Sequence, residues 1–341
     1  MSKFEIIQDS PHKYKDKIFD FWKEYLPGTP AERLDWMENN PAGPAIWLFA
    51  IEEKTGSLAG TISLFPKEFF LNSKKIKAAV LGDFMLHSKF RVFGPALALL
   101  KAAITYQKQE VFDFLYTIPN LKSKKLVEKA GFRLAGELYF MMHPQRCEFL
   151  LKKYIGFFLA AILDMPLSLL LKFFSSATYA SRSAIFKEID RHDDAAVNEF
   201  CKQIRKSGIG LMTGEYSSAY IDWRYRKNPE FDFQIFSLRK KAGEVIQGLF
   251  IISLRTDRLV IYDIVALDNK NILSMINKIM EICKKRKFRG IYCSIYENNP
   301  LLSVIKRSCF FDTKEQIELY TYPEKIKETE LWAFTSADRN I

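Results

Sequence analysis

Six residues, Arg91-Val92-Phe93-Gly94-Pro95-Ala96, combine types that suit the binding of an anion. An apolar run with strand character (78–86) precedes them, and residues rich in helix formers (96–101) follow. At such a junction Gly94 allows backbone angles closed to other residues, so the chain can curl and aim successive amides inward. Pro95 suits the first position of a helix, where its missing N–H would be unpaired anyway. The amides around Val92, Phe93 and Gly94 and those of Ala96 and Leu97, with the helix dipole, then form a cradle that a pyrophosphate fits. Ala96 is small and lets a ligand come close to the helix end. An ordinary helix start would satisfy the same six residues.

The strand leading into this turn carries a carboxylate, Asp83, in Leu81-Gly82-Asp83-Phe84-Met85-Leu86-His87. Burial would raise its pKa into a range useful for proton transfer. An inward carboxylate paired with a nearby lysine fits as well, and both readings stay open. His87, at the strand's end, reads first as a satisfied structural histidine and second as a proton relay.

Hydrophobic period and punctuation predict the elements that would position these groups. In the first half they are a strand at 4–8, helices at 13–26 and 31–39, and strands at 45–51, 58–65 and 78–86. A helix to about residue 109, a strand at 112–118, a helix at 123–130 stopped by Gly131 and a strand at 138–142 follow. The second half repeats the order: strand 185–189, helices 195–206 and 217–226, strands 233–238, 245–254 and 259–267, and helix 272–285. It closes with a strand at 291–296, a helix at 301–307 and a strand at 316–320. Self-similarity on this scale predicts a duplicated domain rather than a solenoid.

Bulk properties narrow the function classes. The 341 residues allow two domains, and 48% hydrophobic with 27% charged content excludes disordered and fibrous chains. The formal charge of +11 favours anionic partners, but the lysines are spread out and no run reads as a nucleic-acid arm. Five scattered cysteines and four distant histidines argue against a disulfide framework and a metal centre. The first residues, MSKFEIIQDS, lack a signal-peptide core, so the cytoplasm is expected. Between the halves, 152–176 is apolar on all faces but interrupted by Asp164 and Pro166. It reads as a linker helix buried between domains, or as a peripheral membrane contact with Lys152, Lys153 and Lys172 at headgroup level.

Arg91–Ala96 resembles the (Q/R)-x-x-G-x-(G/A) signature of the GCN5-related (GNAT) N-acetyltransferases. About thirty residues on, Asn120-Leu121-Lys122-Ser123-Lys124-Lys125-Leu126-Val127-Glu128-Lys129-Ala130-Gly131-Phe132 is similar to that family's second signature. The doubled order and a Trp223-Arg224-Tyr225 element look like double-domain members found with bacterial surface-polysaccharide genes. The resemblance implies an α/β (α+β) fold of two tandem GNAT-like domains, each a mixed, mostly antiparallel sheet flanked by helices. Their bounds would be 1–146 and 184–323, with a linker at 147–183 and a tail at 324–341. It implies acetyl-CoA or another acyl-CoA as co-substrate, bound by Met85, Leu86, Arg91, Val92, Phe93, Gly94, Ala96, Leu97, Asn120 and Ser123. Asn120 could equally cap the following helix.

By the same resemblance the fourth and fifth strands splay apart. The amides near Met85 and Leu86 hold the thioester carbonyl, and an amine of a small molecule or amino sugar attacks directly. Asp83 is the expected base. Where many members carry a tyrosine that protonates the departing thiolate, this chain has Val127, which passes the task to Tyr116, Tyr139 or solvent. No metal and no nucleic acid are expected. A catalytically inactive acyl-CoA sensor or assembly protein is the alternative.

The second half lacks the turn. Leu267-Asp268-Asn269-Lys270-Asn271 has no glycine and sets a carboxylate where phosphates would sit, so this half is expected to have lost the cofactor. Trp223, Arg224, Tyr225 and Arg226 could stack on a sugar, although Trp223 at helical spacing reads as core. The cations of 283–290 suit a solvated helix end.

Overall fold

The computed structural model describes residues 3–90, 93–145, 184–207, 210–240, 245–323 and 331–338, with Pro166 in isolation. The first half runs β1 (Phe4–Gln8), α1 (Lys15–Tyr25), α2 (Arg33–Glu38), β2 (Ile46–Glu52), β3 (Leu58–Leu71) and β4 (Lys74–Leu86). It continues with α3 (Phe93–Lys108), β5 (Phe114–Thr117), α4 (Lys124–Ala130) and β6 (Arg133–Pro144). The second half runs β7 (Ile185–Glu188), α5 (Asp194–Ser207), β8 (Leu211–Gly214) and α6 (Ser218–Ile221), which continues in a π turn (Asp222–Arg226). Then come β9 (Gln234–Arg239), β10 (Ile246–Leu254), β11 (Arg258–Ala266), α7 (Asn269–Lys285), β12 (Gly290–Tyr296), α8 (Leu301–Arg307), β13 (Phe311–Tyr322) and β14 (Leu331–Trp332).

Local pattern explains most of these. Ile18, Phe21 and Trp22 in α1, and Val197, Phe200, Cys201 and Ile204 in α5, are buried stripes at 3.6-residue spacing. Each such side chain contributes about 1.5–3 kcal/mol by leaving water. Gly131 ends α4 with φ 113°, a left-handed cap.

One sheet carries the order β1-β2-β3-β4-β5-β13-β6-β12-β11-β10-β9-β7. Read from either end, the chain halves present corresponding strands in the same sequence, apart from one exchange. The last strand of each half sits in the other: β13 pairs with β5, and β6 pairs with β12. The two meet as an antiparallel pair at the centre. α3 and α4 cover one face of the first part, and α7 and α8 cover the same face of the second. α1 and α2, then α5 and α6, cover the opposite face.

Two expectations are corrected here. The first sheet half is not closed by residues 1–146, because its last strand comes from the far end of the chain. Within the expected tail, β14 pairs with β8, which itself pairs with β3, and Trp332, Phe334 and Ala337 are buried. These residues belong to the core.

Trp36 of α2 and Trp223 of the π turn lock the halves together. Their rings stack at 4.7 Å and 9°. Each indole N–H donates to the other's carbonyl, at 2.7 Å to Trp223 O and 2.8 Å to Trp36 O. Trp223 is therefore core and unavailable to stack on a sugar.

Candidate functional site

β4 and β5 run parallel and pair at Ala78–Phe114, Ala79–Leu115 and Val80–Tyr116. β4 then continues to Leu86 while β5 ends at Thr117, so a gap opens along residues 81–86. Its cause is a bulge: the β3–β4 register shifts between Thr61 and Ser63, and Asp83 adopts φ 45°. Thr61 Oγ1 donates to Asp83 O at 2.8 Å and holds the bulge in place. Gly60 permits it, since a Cβ there would stand 2.6 Å from Met85 O.

The His87 N–H donates to Ala59 O at 2.9 Å. Alternation along an antiparallel ladder then turns the Leu86 N–H and C=O into the gap and the Met85 N–H towards β3. Of the two amides expected at the thioester, Leu86 is presented and Met85 is not. The Tyr25 hydroxyl donates to Leu86 O at 2.7 Å. Sequence reasoning missed this residue because it extends the apolar stripe of α1, which hides its polar tip.

α3 starts at the mouth of this gap, two residues earlier than expected. Pro95 is its third residue rather than its first, and Gly94 has no positive φ. The space beside Gly94 is open, since a Cβ there would meet nothing within 4 Å. The first N–H groups of such a helix have no partner within it. Gly94 is exposed, Leu97 half-buried and Ala96 buried in the core. Phe93 opens the helix, and Arg91 and Val92 lie outside the described residues, as does 152–176 apart from Pro166.

Asp83 is buried with its side chain 1% exposed. Trp22 Nε1 donates to Oδ1 at 2.8 Å, Ser63 Oγ to Oδ2 at 3.1 Å, and Arg33 Nη2 lies 3.4 Å from either oxygen. Arg33 Nε in turn meets Glu230 Oε1 at 3.1 Å, so the second half reaches into this cluster. The partner cation is an arginine from α2, not the lysine expected. Asn120 Oδ1 accepts from the amides of Lys122 and Ser123, both at 3.0 Å, and Ser123 Oγ donates to Asn120 O at 3.2 Å. This is the capping alternative. Val127 is buried beneath α4.

Neither tyrosine proposed for the thiolate stands at the gap. Tyr116 is fully buried, with its hydroxyl given to Asp338 O at 2.8 Å. Tyr139, on β6, pairs with Ile295 and packs on the α7 side. Two strands, β5 and β13, separate it from β4, a distance of about 14 Å. His87 Nδ1 accepts from the Lys89 amide at 3.3 Å, a structural role.

The second half repeats the gap and fills it. β11 and β12 pair through Ile261–Cys293, and β11 carries a bulge at the same level. Beyond it, residues 334–336 lie along β12 as an extra strand would. Tyr296 N–H donates to Phe334 O at 3.2 Å, Ile295 bridges Thr335, and Ser294 N–H donates to Ser336 Oγ at 3.1 Å. Asp263 Oδ1 takes the Ile264 amide at 2.9 Å. At the helix start, Asp268 Oδ1 accepts from the Asn271 amide at 2.8 Å, where an anion would otherwise sit.

Behind both gaps lies a buried charged cluster. Lys67 Nζ donates to the Tyr220 hydroxyl at 2.8 Å and to Ala337 O at 3.1 Å, and Arg224 Nη2 donates to Ala337 O at 2.9 Å. Burial, with Arg224 beside it, pulls Lys67 down to about 7. Burial and the charge of Asp338 push Asp263 up to about 7. Histidine spacing also concealed one surface group: His12 Nε2 lies 2.6 Å from Glu38 Oε2 and 3.7 Å from Asp35 Oδ1. The four described cysteines are unpaired.

A mixed sheet with a bulged fourth strand, a parted fifth and a helix starting at the gap defines the class: this is the acetyltransferase (GNAT) fold. Residues 11–132 match the acetyltransferase (GNAT) family. Solved structures agree over 94% of the chain. A GCN5-related N-acetyltransferase from Anabaena variabilis superposes with TM-score 0.66 at 13% identity, covering 72% of that chain. A probable N-acyltransferase from Enterococcus faecalis gives 0.66 at 10% identity, also covering 72%. N-myristoyltransferase of Saccharomyces cerevisiae with bound myristoyl-CoA gives 0.60 at 11%, covering 83%. No curated protein matches the sequence.

Proposed function

We propose that this chain is an acyl-CoA-dependent N-acyltransferase with two GNAT-like halves, of which the first holds the cofactor. The observation that carries the proposal is the gap between β4 and β5, with the Leu86 amide turned into it and α3 starting at its mouth. The pyrophosphate lies on the amides of Phe93 and Gly94 at the start of α3, because with that start the amides of Ala96 and Leu97 bond within the helix, and the cofactor arm runs along residues 81–86. The Leu86 N–H stabilises the oxyanion formed when an amine attacks the thioester carbonyl. Asp83, at the bulge, is the proposed base, reached through the Ser63 hydroxyl, which can accept a proton as it passes its own to the carboxylate. Tyr25 replaces Tyr139 as the proposed proton donor to the leaving thiolate. Acetyl-CoA is the proposed donor, and an amine of a small molecule or amino sugar the acceptor. The chain is proposed to work in the cytoplasm, with 152–176 read as a linker between the halves or as a peripheral membrane contact.

A thiol-release assay with acetyl-CoA and longer acyl-CoAs against an amine library tests this. Amine-dependent release that Leu86→Pro removes supports it. The second reading, an inactive acyl-CoA binder, is favoured by the fully engaged Asp83 carboxylate and by Val127. Calorimetric binding of acyl-CoA with no release for any amine would select it.

A further inference from the structure

We infer that Glu230, in the second half, is a positioning residue for the first half's Asp83 and acts through Arg33; the inference rests on the reading of Asp83 as the base. Arg33 lies between the two carboxylates with its side chain 3% exposed. Its Nη2 stands 3.4 Å from both oxygens of Asp83, and its Nε stands 3.1 Å from Glu230 Oε1, a buried atom. A guanidinium with nothing to restrain it closes on a carboxylate to about 2.7–2.9 Å, often through two parallel bonds. Here it is held back. The Trp22 ring packs against it, with its centre 5.0 Å from the guanidinium carbon, and Glu230 attracts it from the Nε edge.

Standing back has a chemical use. Asp83 takes its proton through the Ser63 hydroxyl, which donates to Oδ2 at 3.1 Å, while Trp22 Nε1 already donates to Oδ1 at 2.8 Å. An arginine bonded at full strength would compete for the lone pairs that have to receive that proton. Sharing the cation with Glu230 keeps Asp83 paired in its buried position without saturating it. The second half fixes Glu230 for this task. Asn228 Oδ1 accepts from the amides of Glu230 and Phe231 at 2.9 and 3.0 Å, and Asn228 Nδ2 donates to Arg224 O at 3.3 Å. Next to Arg224, Trp223 stacks on Trp36, which shares α2 with Arg33. The turn that carries Glu230 and the helix that carries Arg33 are thus locked together beside the ion pair. The half without a cofactor turn thereby sets how the base of the other half is held.

The test uses the full chain with Glu230→Gln, which keeps the side chain's shape and removes its charge, and Glu230→Asp, which keeps the charge. The Trp22 indole N–H resonance, assigned with Trp22→Phe, reports on Asp83 with no substrate present. It is expected to shift in Glu230→Gln, as Arg33 closes on Asp83, and to shift less in Glu230→Asp. In amine-dependent thiol release, Glu230→Gln is expected to lower kcat by about tenfold, a fraction of what a positioned base contributes. KM for acyl-CoA should stay unchanged, and Glu230→Asp should restore most of the rate. Glu215→Gln, which breaks the 2.6 Å pair of Glu215 with Arg205 elsewhere in the second half, is the control that leaves the resonance and kcat at their wild-type values. An unmoved Trp22 resonance or an unchanged kcat in Glu230→Gln would overturn the inference, as would an equal loss of kcat in Glu215→Gln. If the wild type releases no thiol with any amine, the base reading fails instead, and the resonance still decides whether Glu230 sets Arg33 against Asp83.

Discussion

The two gaps differ less in their strands than in what their loose ends do. Both lie beside a bulged strand that parts from a parallel neighbour, and both face the start of a helix. In the first, the Leu86 amide is left facing the gap and Gly94 leaves the helix start clear. In the second, the Ile264 amide is taken by Asp263, the helix start by Asp268, and the edge of β12 by residues 334–336. A parted pair of strands thus becomes a binding site only while its backbone donors have no partner inside the chain. The same accounting explains why the second gap is not simply empty: an unpaired edge buried there would cost stability.

Removing residues 331–341 should disturb this contrast most. Trp332 and Phe334 are buried and fill the second gap's surroundings, and truncating either aromatic alone costs about 3–5 kcal/mol. The shortened chain should lose its cooperative denaturant transition rather than gain a second acyl-CoA site; calorimetry showing two sites per chain would contradict the account. Gly94→Asp should reduce acyl-CoA affinity by about 100-fold, or about 2.7 kcal/mol, with little change in melting temperature. Asp268→Gly, in the second half, should create no binding.

The two buried acids should also part company. Asp83→Asn breaks a pair with Arg33 and should cost about 3 kcal/mol in urea unfolding. Asp263→Asn removes a carboxylate already pushed up to about 7 by burial and Asp338, and near neutral pH should cost less than about 1 kcal/mol. Equal costs would show that the two acids are held alike.

The smallest effect is a slope. Folding holds Lys67 at about 7 while its ordinary value is 10.5, so between these limits the unfolded chain keeps a proton that the folded chain has lost. Its contribution to stability therefore rises with pH across that window and is least favourable below it. Lys67→Met should flatten the rise between pH 7 and 10 in unfolding experiments, and an unchanged slope would assign it elsewhere.

Much of this was legible in the sequence. β1 and α8 fall on their expected residues, because their periods and stops are local. The gap was legible from Gly94-Pro95 and the second signature together. The strand exchange was not, since pairing of β13 with β5 leaves no local trace. β8 and β14 are too short to show a period; β3 runs past its expected end to meet β8, and β4 begins earlier than expected to pair with that extension. Arg33 as the partner of Asp83 was hidden for the same reason: fifty residues separate them. Gly94 was expected to curl the backbone; it has no positive φ, and a Cβ there would stand in open space.

The exchange of β6 and β13 also orders the protein's birth. The first half's strands leave the ribosome early, but the strand that flanks β5 follows β6 by roughly 180 residues. At about 5–20 residues per second that delay lasts on the order of 10–40 s, during which β5 has an unpaired edge. No nascent fragment holds the gap with both of its flanking strands in place. The wall beside it is delivered only when synthesis is almost over, which leaves the growing chain in need of protection against strand-to-strand aggregation until then.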